Sequence, residues 1–135
     1  MAFELIYGKY YNREIECPQC QFKLNRPVEK RTDVNIAIRM IEDCFENRVD
    51  ILSLVTAVSD LIPPIELIQK LFPQIKIKVY FPPNNYSYDL YNIVLSGKGK
   101  IIHLEKNFHH FWNCKMPDIV TDGGKSYTIP EKWKQ

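Results

Sequence analysis

The stretch that decides the fold is Val49-Asp50-Ile51-Leu52-Ser53-Leu54-Val55-Thr56-Ala57-Val58-Ser59-Asp60-Leu61-Ile62-Pro63-Pro64. Its first half is a short run dense in apolar residues without strict alternation. Such a run predicts a strand over residues 50–57 that is buried on both faces, as in a parallel sheet. Its second half closes on two prolines. Proline lacks the N–H that a helix interior must donate, so Pro63 and Pro64 fit only the first turn of a helix. Ile65, Ile68, Leu71 and Phe72 then repeat at helical spacing. A strand that feeds a helix in this way is the unit of an α/β fold.

The same grammar extends in both directions. Upstream, Val34, Ala37, Ile38, Ile41, Cys44 and Phe45 repeat every three or four residues, which predicts a helix over residues 33–48 with these side chains on its buried face. Thr32 or Asp33 would cap it. Downstream, residues 75–81 read as a strand, residues 87–95 as a helix capped by Ser87, residues 100–103 as a strand and residues 107–112 as a helical turn. Asp122-Gly123-Gly124 signals a hairpin within residues 118–129. Nearer the start, residues 3–11 and 14–17 read as extended, with a polar turn over residues 18–27. The alternation of strand and helix predicts α/β architecture with a mostly parallel sheet flanked by helices.

At 135 residues the chain has the length of one domain, and a 45% hydrophobic content is ordinary for a globular protein. A net charge of +2 does not mark a nucleic-acid binder, so such a role must come from local patches. No apolar run approaches the roughly 20 residues of a membrane span. The start lacks a signal-peptide pattern, which leaves the cytoplasm as the expected compartment. Cys17, Cys20, Cys44 and Cys114 are then expected as thiols or metal ligands.

In open α/β sheets ligands bind beyond the carboxyl ends of the strands. Asp60 lies just past one such end, and Asp33 lies at the start of the helix that leads into that strand. Carboxylates brought together there suit Mg²⁺ or Mn²⁺, which support phosphodiester cleavage. Each residue alone is equally read as a helix cap, with Ser59 as an alternative cap beside Asp60. Lys23, Arg26, Lys30 and Arg31 precede Asp33, and Lys98 and Lys100 form a second basic group; both could hold phosphates or simply face solvent. Cys17-Pro18-Gln19-Cys20 has the spacing of half a zinc knuckle. Cys114 with His109 or His110, or a second copy, would have to complete a site for structural Zn; a reduced turn with two thiols is the alternative.

Five segments in order resemble the NYN domain family of the PIN-like metal-dependent ribonucleases. Glu29-Lys30-Arg31-Thr32-Asp33-Val34-Asn35-Ile36-Ala37 is similar to the family's E-K-x-x-D-V-N-L-A. Residues 49–61 resemble its D-x-A-x-x-V-S-G-D-S-D strand and loop, and Lys78-Val79-Tyr80-Phe81-Pro82-Pro83 its V-x-V-A-F-P-P. Met116-Pro117-Asp118 and Ile129-Pro130-Glu131-Lys132-Trp133 resemble the closing L-P-D and P-x-x-W. The resemblance covers about residues 7–133, taken as a single domain with a C-terminal extension over residues 105–135. It implies Asp33 and Asp60 as catalytic and Mg²⁺ or Mn²⁺ ligands, and Lys30, Arg31, Asn35 and Ser59 as RNA-binding residues. Two departures follow. The first acid of the D-S-D loop falls on Val58. The chain starts near the family's x-x-x-G-x-F strand, here Tyr7-Gly8-Lys9-Tyr10-Tyr11, past the family's first strand–helix–strand and its first aspartate. The resemblance therefore implies weakened or partner-dependent RNA cleavage, or a non-catalytic module that binds RNA or protein. It also implies a homodimer or a partner chain that supplies the absent part, with Glu29, Glu66 or Asp89 as substitute acids.

Overall fold

A computed structural model describes residues 3–109, 114 and 116–133. The chain is mixed α/β, with one three-stranded parallel sheet and two antiparallel hairpins. In order it forms β1 (Lys9–Glu16), β2 (Lys23–Lys30), α1 (Thr32–Phe45), β3 (Ile51–Val55), a 3-10 turn (Ser59–Leu61), α2 (Ile62–Leu71), β4 (Lys76–Phe81), α3 (Tyr88–Ser96), β5 (Lys100–His103), a 3-10 turn (Leu104–Asn107), β6 (Ile119–Asp122), β7 (Lys125–Thr128) and a last 3-10 turn (Glu131–Trp133). Among the described residues no helix is long and apolar enough to cross a membrane. The expected helical turn over residues 107–112 falls partly outside the described residues, as does His110.

The parallel sheet has the order β3-β4-β5, with Leu52 beside Ile77 and Leu54 beside Val79, and Val79 in turn beside Ile101. Neighbours in register share a face, so Leu52, Leu54, Ile77, Val79 and Ile101 form one apolar surface. Met40 and Cys44 of α1, Ile65 and Ile68 of α2 and Leu90 and Val94 of α3 complete the core, together with Leu52, Leu61, Ile77, Val79 and Phe81. Pro63 and Pro64 do sit in the first turn of α2, and the Ser87 hydroxyl caps α3 by accepting the Leu90 N–H at 3.3 Å.

Four expectations are corrected here. β3 is not buried on both faces: Leu52 is buried, while Ile51, Ser53 and Val55 of the opposite face are exposed, and β3 is an edge strand. Helices therefore flank one face of the sheet rather than two. The buried stripe of α1 is Met40 and Cys44 with Ile36, Ala37 and Ile41 beside them. Val34, Ile38 and Phe45, assigned to the same face, are each 60% exposed. The helix carries apolar residues over more of its circumference than the sheet can cover. The extended stretches near the start are not two strands broken before a polar turn. β1 is one strand through Glu16, and β2 occupies much of the segment read as a turn.

Start and end of α1 differ from the expected caps. Arg31 stands at the N-cap with φ 80°, in the left-handed region. Neither Thr32 nor Asp33 caps. The Glu29 carboxylate accepts the Thr32 N–H at 3.1 Å and the Thr32 hydroxyl as well. Gly8 packs against this contact, and a Cβ there would overlap both the carboxylate and the hydroxyl. Arg39, paired to Glu4 at 2.6 Å and to Asp43 at 3.2 Å, ties the start of the chain to α1.

The C-terminal hairpin has the expected turn. Gly123 and Gly124, at φ 53° and 80°, close β6 onto β7 as the two left-handed residues of a type I′ turn.

Candidate functional site

β1 and β2 form an exposed antiparallel ribbon, and their register sorts the side chains onto two faces. Lys9 lies opposite Lys30, Tyr11 opposite Val28, Arg13 opposite Arg26 and Ile15 opposite Leu24. Successive residues alternate sides, so these eight share one face. That face holds four cations and no carboxylate. The other face holds Tyr10, Glu14, Glu16, Lys23 and Glu29, and there Lys23 is consumed by ion pairs with Glu14 at 2.9 Å and Glu16 at 3.8 Å. Like charges placed directly across a ladder destabilise it by a few tenths of a kcal/mol to about 1 kcal/mol. The basic face contains two such pairs, Lys9 with Lys30 and Arg13 with Arg26. Among the described residues none of the four forms a salt bridge; the Lys9 ammonium sits 4.9 Å from the Tyr11 ring centroid. An anion laid along this face would relieve the repulsion.

The base of the ribbon opens into a surface depression of about 410 Å³ lined by Glu29, Lys30, Arg31, Asp33, Val34, Ala37, Ile38, Ile41 and Asp60. Asp33, in the first turn of α1, and Asp60, in the 3-10 turn beyond the carboxyl end of β3, therefore line the same depression. α1 is capped by Glu29, and no side chain caps α2. Asp33 and Asp60 are thus not spent on helix caps, and among the described residues neither is in a salt bridge. Lys30 and Arg31 stand on the same rim. Arg31 also reaches the Tyr11 hydroxyl at 3.4 Å, which joins the rim to the basic face of the ribbon.

Other candidate residues are placed elsewhere. Asn35 donates to the Tyr7 carbonyl at 3.2 Å and lines a separate groove with Ile6, Met40, Leu52 and Leu54. Ser59 is exposed next to Asp60 but does not line the depression. Val58 is 40% exposed, and its N–H donates to the Thr56 hydroxyl at 3.1 Å. Of the three substitute acids, Glu29 reaches the depression; Glu66 and Asp89 do not line it. Lys98 and Lys100 sit at the amino end of β5, the opposite end of the sheet from Asp60, and cannot share phosphates with it. Lys9 and Arg13 join the site unannounced by the sequence. The signal for them was alternation in residues 9–16, legible only once residues 23–30 are read as the partner strand.

Asp33, Asp60 and the Glu29 oxygen not bound to Thr32 are the oxygen donors available to a hard cation. Among the described residues no three His, Cys, Asp or Glu side chains gather closely enough to enclose an ion. Mg²⁺ is commonly held by one or two carboxylates with water and substrate phosphate filling the remaining positions. Two carboxylates lining one depression are the donor type such an open site uses, and among the described residues no closed protein cage is built.

The CxxC segment lies at the far tip of the ribbon. Cys17 N–H donates to the Phe22 carbonyl and Gln21 N–H to the Cys17 carbonyl, both at 2.9 Å, with Gln21 at φ 56°. Backbone N–H groups of Cys20 and Gln19 and the Cys20 thiol point at the Cys17 sulfur. They favour its thiolate and lower its pKa below that of an ordinary cysteine. Cys44 is the converse case: burial in the core raises its pKa, and the neighbouring Asp43 adds to the effect. The proposed completion of a zinc site by Cys114 and His109 is not formed among the described residues.

Compared with protein-family models, curated proteins and solved structures, the chain matches none.

Proposed function

We propose that this chain is an NYN-type, PIN-like domain that binds single-stranded RNA and cleaves it with Mg²⁺ or Mn²⁺, with weakened or partner-dependent activity. The observation that carries this reading is that Asp33 and Asp60, both free of helix-capping duty, line one depression at the end of an unpaired basic face. Asp33 and Asp60 would hold the ion, which when bound supplies an activated water and neutralises charge on the phosphate. The chain's own residues do the rest. Lys9, Arg13, Arg26 and Lys30 track the RNA backbone, Tyr11 offers a stacking surface, and Lys30 and Arg31 seat the phosphate beside the carboxylates. The Glu29–Thr32 contact fixes the start of α1 and with it the position of Asp33.

The partner-dependent part of the reading rests on the open edge of β3 and on its exposed Ile51 and Val55. An unpaired parallel edge with apolar neighbours invites a further strand from a partner chain or a second copy. A second reading, a non-catalytic module that binds RNA or protein, is favoured by one specific residue: Val58, which cannot ligate a cation, stands where the family's loop carries its first acid.

Incubation of the purified chain with labelled single-stranded RNA and Mn²⁺, beside the Asp60→Asn variant, tests the proposal. Cleavage is expected in the parent and lost in the variant, with binding of uncleaved RNA in EDTA held within about twofold. Intact RNA that both proteins still bind supports the second reading. RNA that neither protein binds removes both RNA readings.

A further inference from the structure

We infer that the ribbon tip is half of a zinc site, and that the same two cysteines of a second copy complete it as a Zn(Cys)₄ clamp between two chains. The Cys17 N–H donates to the Phe22 carbonyl and the Gln21 N–H to the Cys17 carbonyl, both at 2.9 Å, so the whole CxxC motif lies in one tight turn between β1 and β2. Two thiolates on one zinc lie about 3.8 Å apart, the edge of a tetrahedron with Zn–S bonds of about 2.3 Å, a span that a tight CxxC turn can supply. Gln21 holds a left-handed backbone conformation, which costs a residue with a Cβ about 1–2 kcal/mol. The turn accepts this cost and leaves Cys17 half-buried and Cys20 exposed.

Two thiolates do not satisfy structural zinc, which takes four ligands. Glu14 and Glu16 near the tip are held in ion pairs by Lys23. Eight residues of ribbon at about 3.3 Å each place the tip roughly 26 Å from the depression, and no third His, Cys, Asp or Glu ligand gathers there among the described residues. A projecting tip is, however, the part of the molecule that a second copy reaches first. Ile15, Leu24 and Phe22 beside the knuckle are 44%, 53% and 66% exposed, and a tip-to-tip pairing would cover them. Four Zn–S bonds form as four thiol protons pass to solvent, so assembly strengthens as pH rises.

The test uses the full chain under a phosphine reductant. Co²⁺ is titrated in while thiolate-to-metal charge-transfer absorption is followed, then displaced by Zn²⁺, with molar mass read by light scattering. The expected result is an endpoint of one ion per two chains, the intense visible bands of a tetrahedral thiolate site, and a mass that doubles with metal and halves with EDTA. Cys17→Ser and Cys20→Ser each abolish these signals, and Cys114→Ser leaves them unchanged. An endpoint of one ion per monomer, sensitivity to Cys114→Ser, a dimer that persists in EDTA, or no thiolate–metal absorption each overturns the inference. Because the substituted residues lie at an exposed tip, an unchanged urea midpoint separates loss of metal from loss of fold.

Discussion

Replacing Arg13 and Arg26 with glutamine removes the central pair of the basic face and leaves the acidic face untouched. The four cations of that face set the scale of its RNA affinity. Each phosphate neutralised on single-stranded nucleic acid contributes about −0.7 to the slope of log K against log salt, so four contacts give a slope near −2.8 and two give about −1.4. Between about 50 and 200 mM salt, the parent should therefore lose about 50-fold in affinity and the double variant only about 7-fold. The assay is fluorescence anisotropy of a labelled oligouridylate in EDTA, repeated at several salt concentrations. Lys23→Gln is the control, since Lys23 lies on the other face in ion pairs with Glu14 and Glu16; it should leave the slope in place. A parental slope shallower than about −1, or equal slopes in parent and double variant, would refute the assignment of this face to the nucleic-acid backbone. The variant should fold at least as well as the parent, because it removes a like-charged pair from the ladder.

Ile65→Ala, at a fully buried position of α2, should cost about 2–5 kcal/mol in urea unfolding, whereas Leu67→Ala on the same helix, 40% exposed, should cost much less. Ser87→Ala should cost about 1 kcal/mol by the same measurement, because it removes the acceptor for the Leu90 N–H. Backbone N–H donors favour the Cys17 thiolate, so its alkylation by iodoacetamide should reach half-maximal rate at a lower pH than an unstructured cysteine peptide, as read by mass spectrometry. Cys44, with its pKa raised by burial, should stay unmodified until the chain is unfolded. Gly8→Ala should drive Glu29 from the Thr32 N–H and weaken the start of α1, visible as faster amide exchange in its first turn.

The parallel half of the molecule was legible because burial imposes periodicity. Ile77, Val79 and Phe81 alternate along β4, and the two prolines and Ser87 mark helix starts whose chemistry is local. The ribbon was only half legible, for the opposite reason. Parts of β1 read as extended, but most of β2 is exposed on both faces and holds Pro27, so neither an apolar pattern nor a propensity announced it. Its meaning lies in which residue faces which, and cross-strand register is a long-range property. Asp33 and Asp60, placed by the sequence at a helix start and beyond a strand end, both line one depression, but Asn35 was not separable from Asp33. Two positions along a helix turn the side chain to a different flank, where Tyr7 takes it. The one-sided sheet was hidden because an apolar run such as residues 51–55 looks alike whether one flank or two are covered.

Arg31 joins the ribbon to the helix through a single left-handed residue. It acts as the pivot of a lever. With an arm of roughly 26 Å, a rotation of about 10° at this joint swings the cysteine tip by about 4–5 Å while the carboxylates near the pivot hardly move. Reach at the tip and constancy at the acidic end are thus set at this joint, which the Glu29–Thr32 and Asn35–Tyr7 hydrogen bonds brace. Arg31→Gly would slacken the arm, and Arg31→Val, whose branched side chain is excluded from that torsion, would re-aim it. Aim and chemistry are in this way separable: a change in where the arm points need not alter what happens at its root.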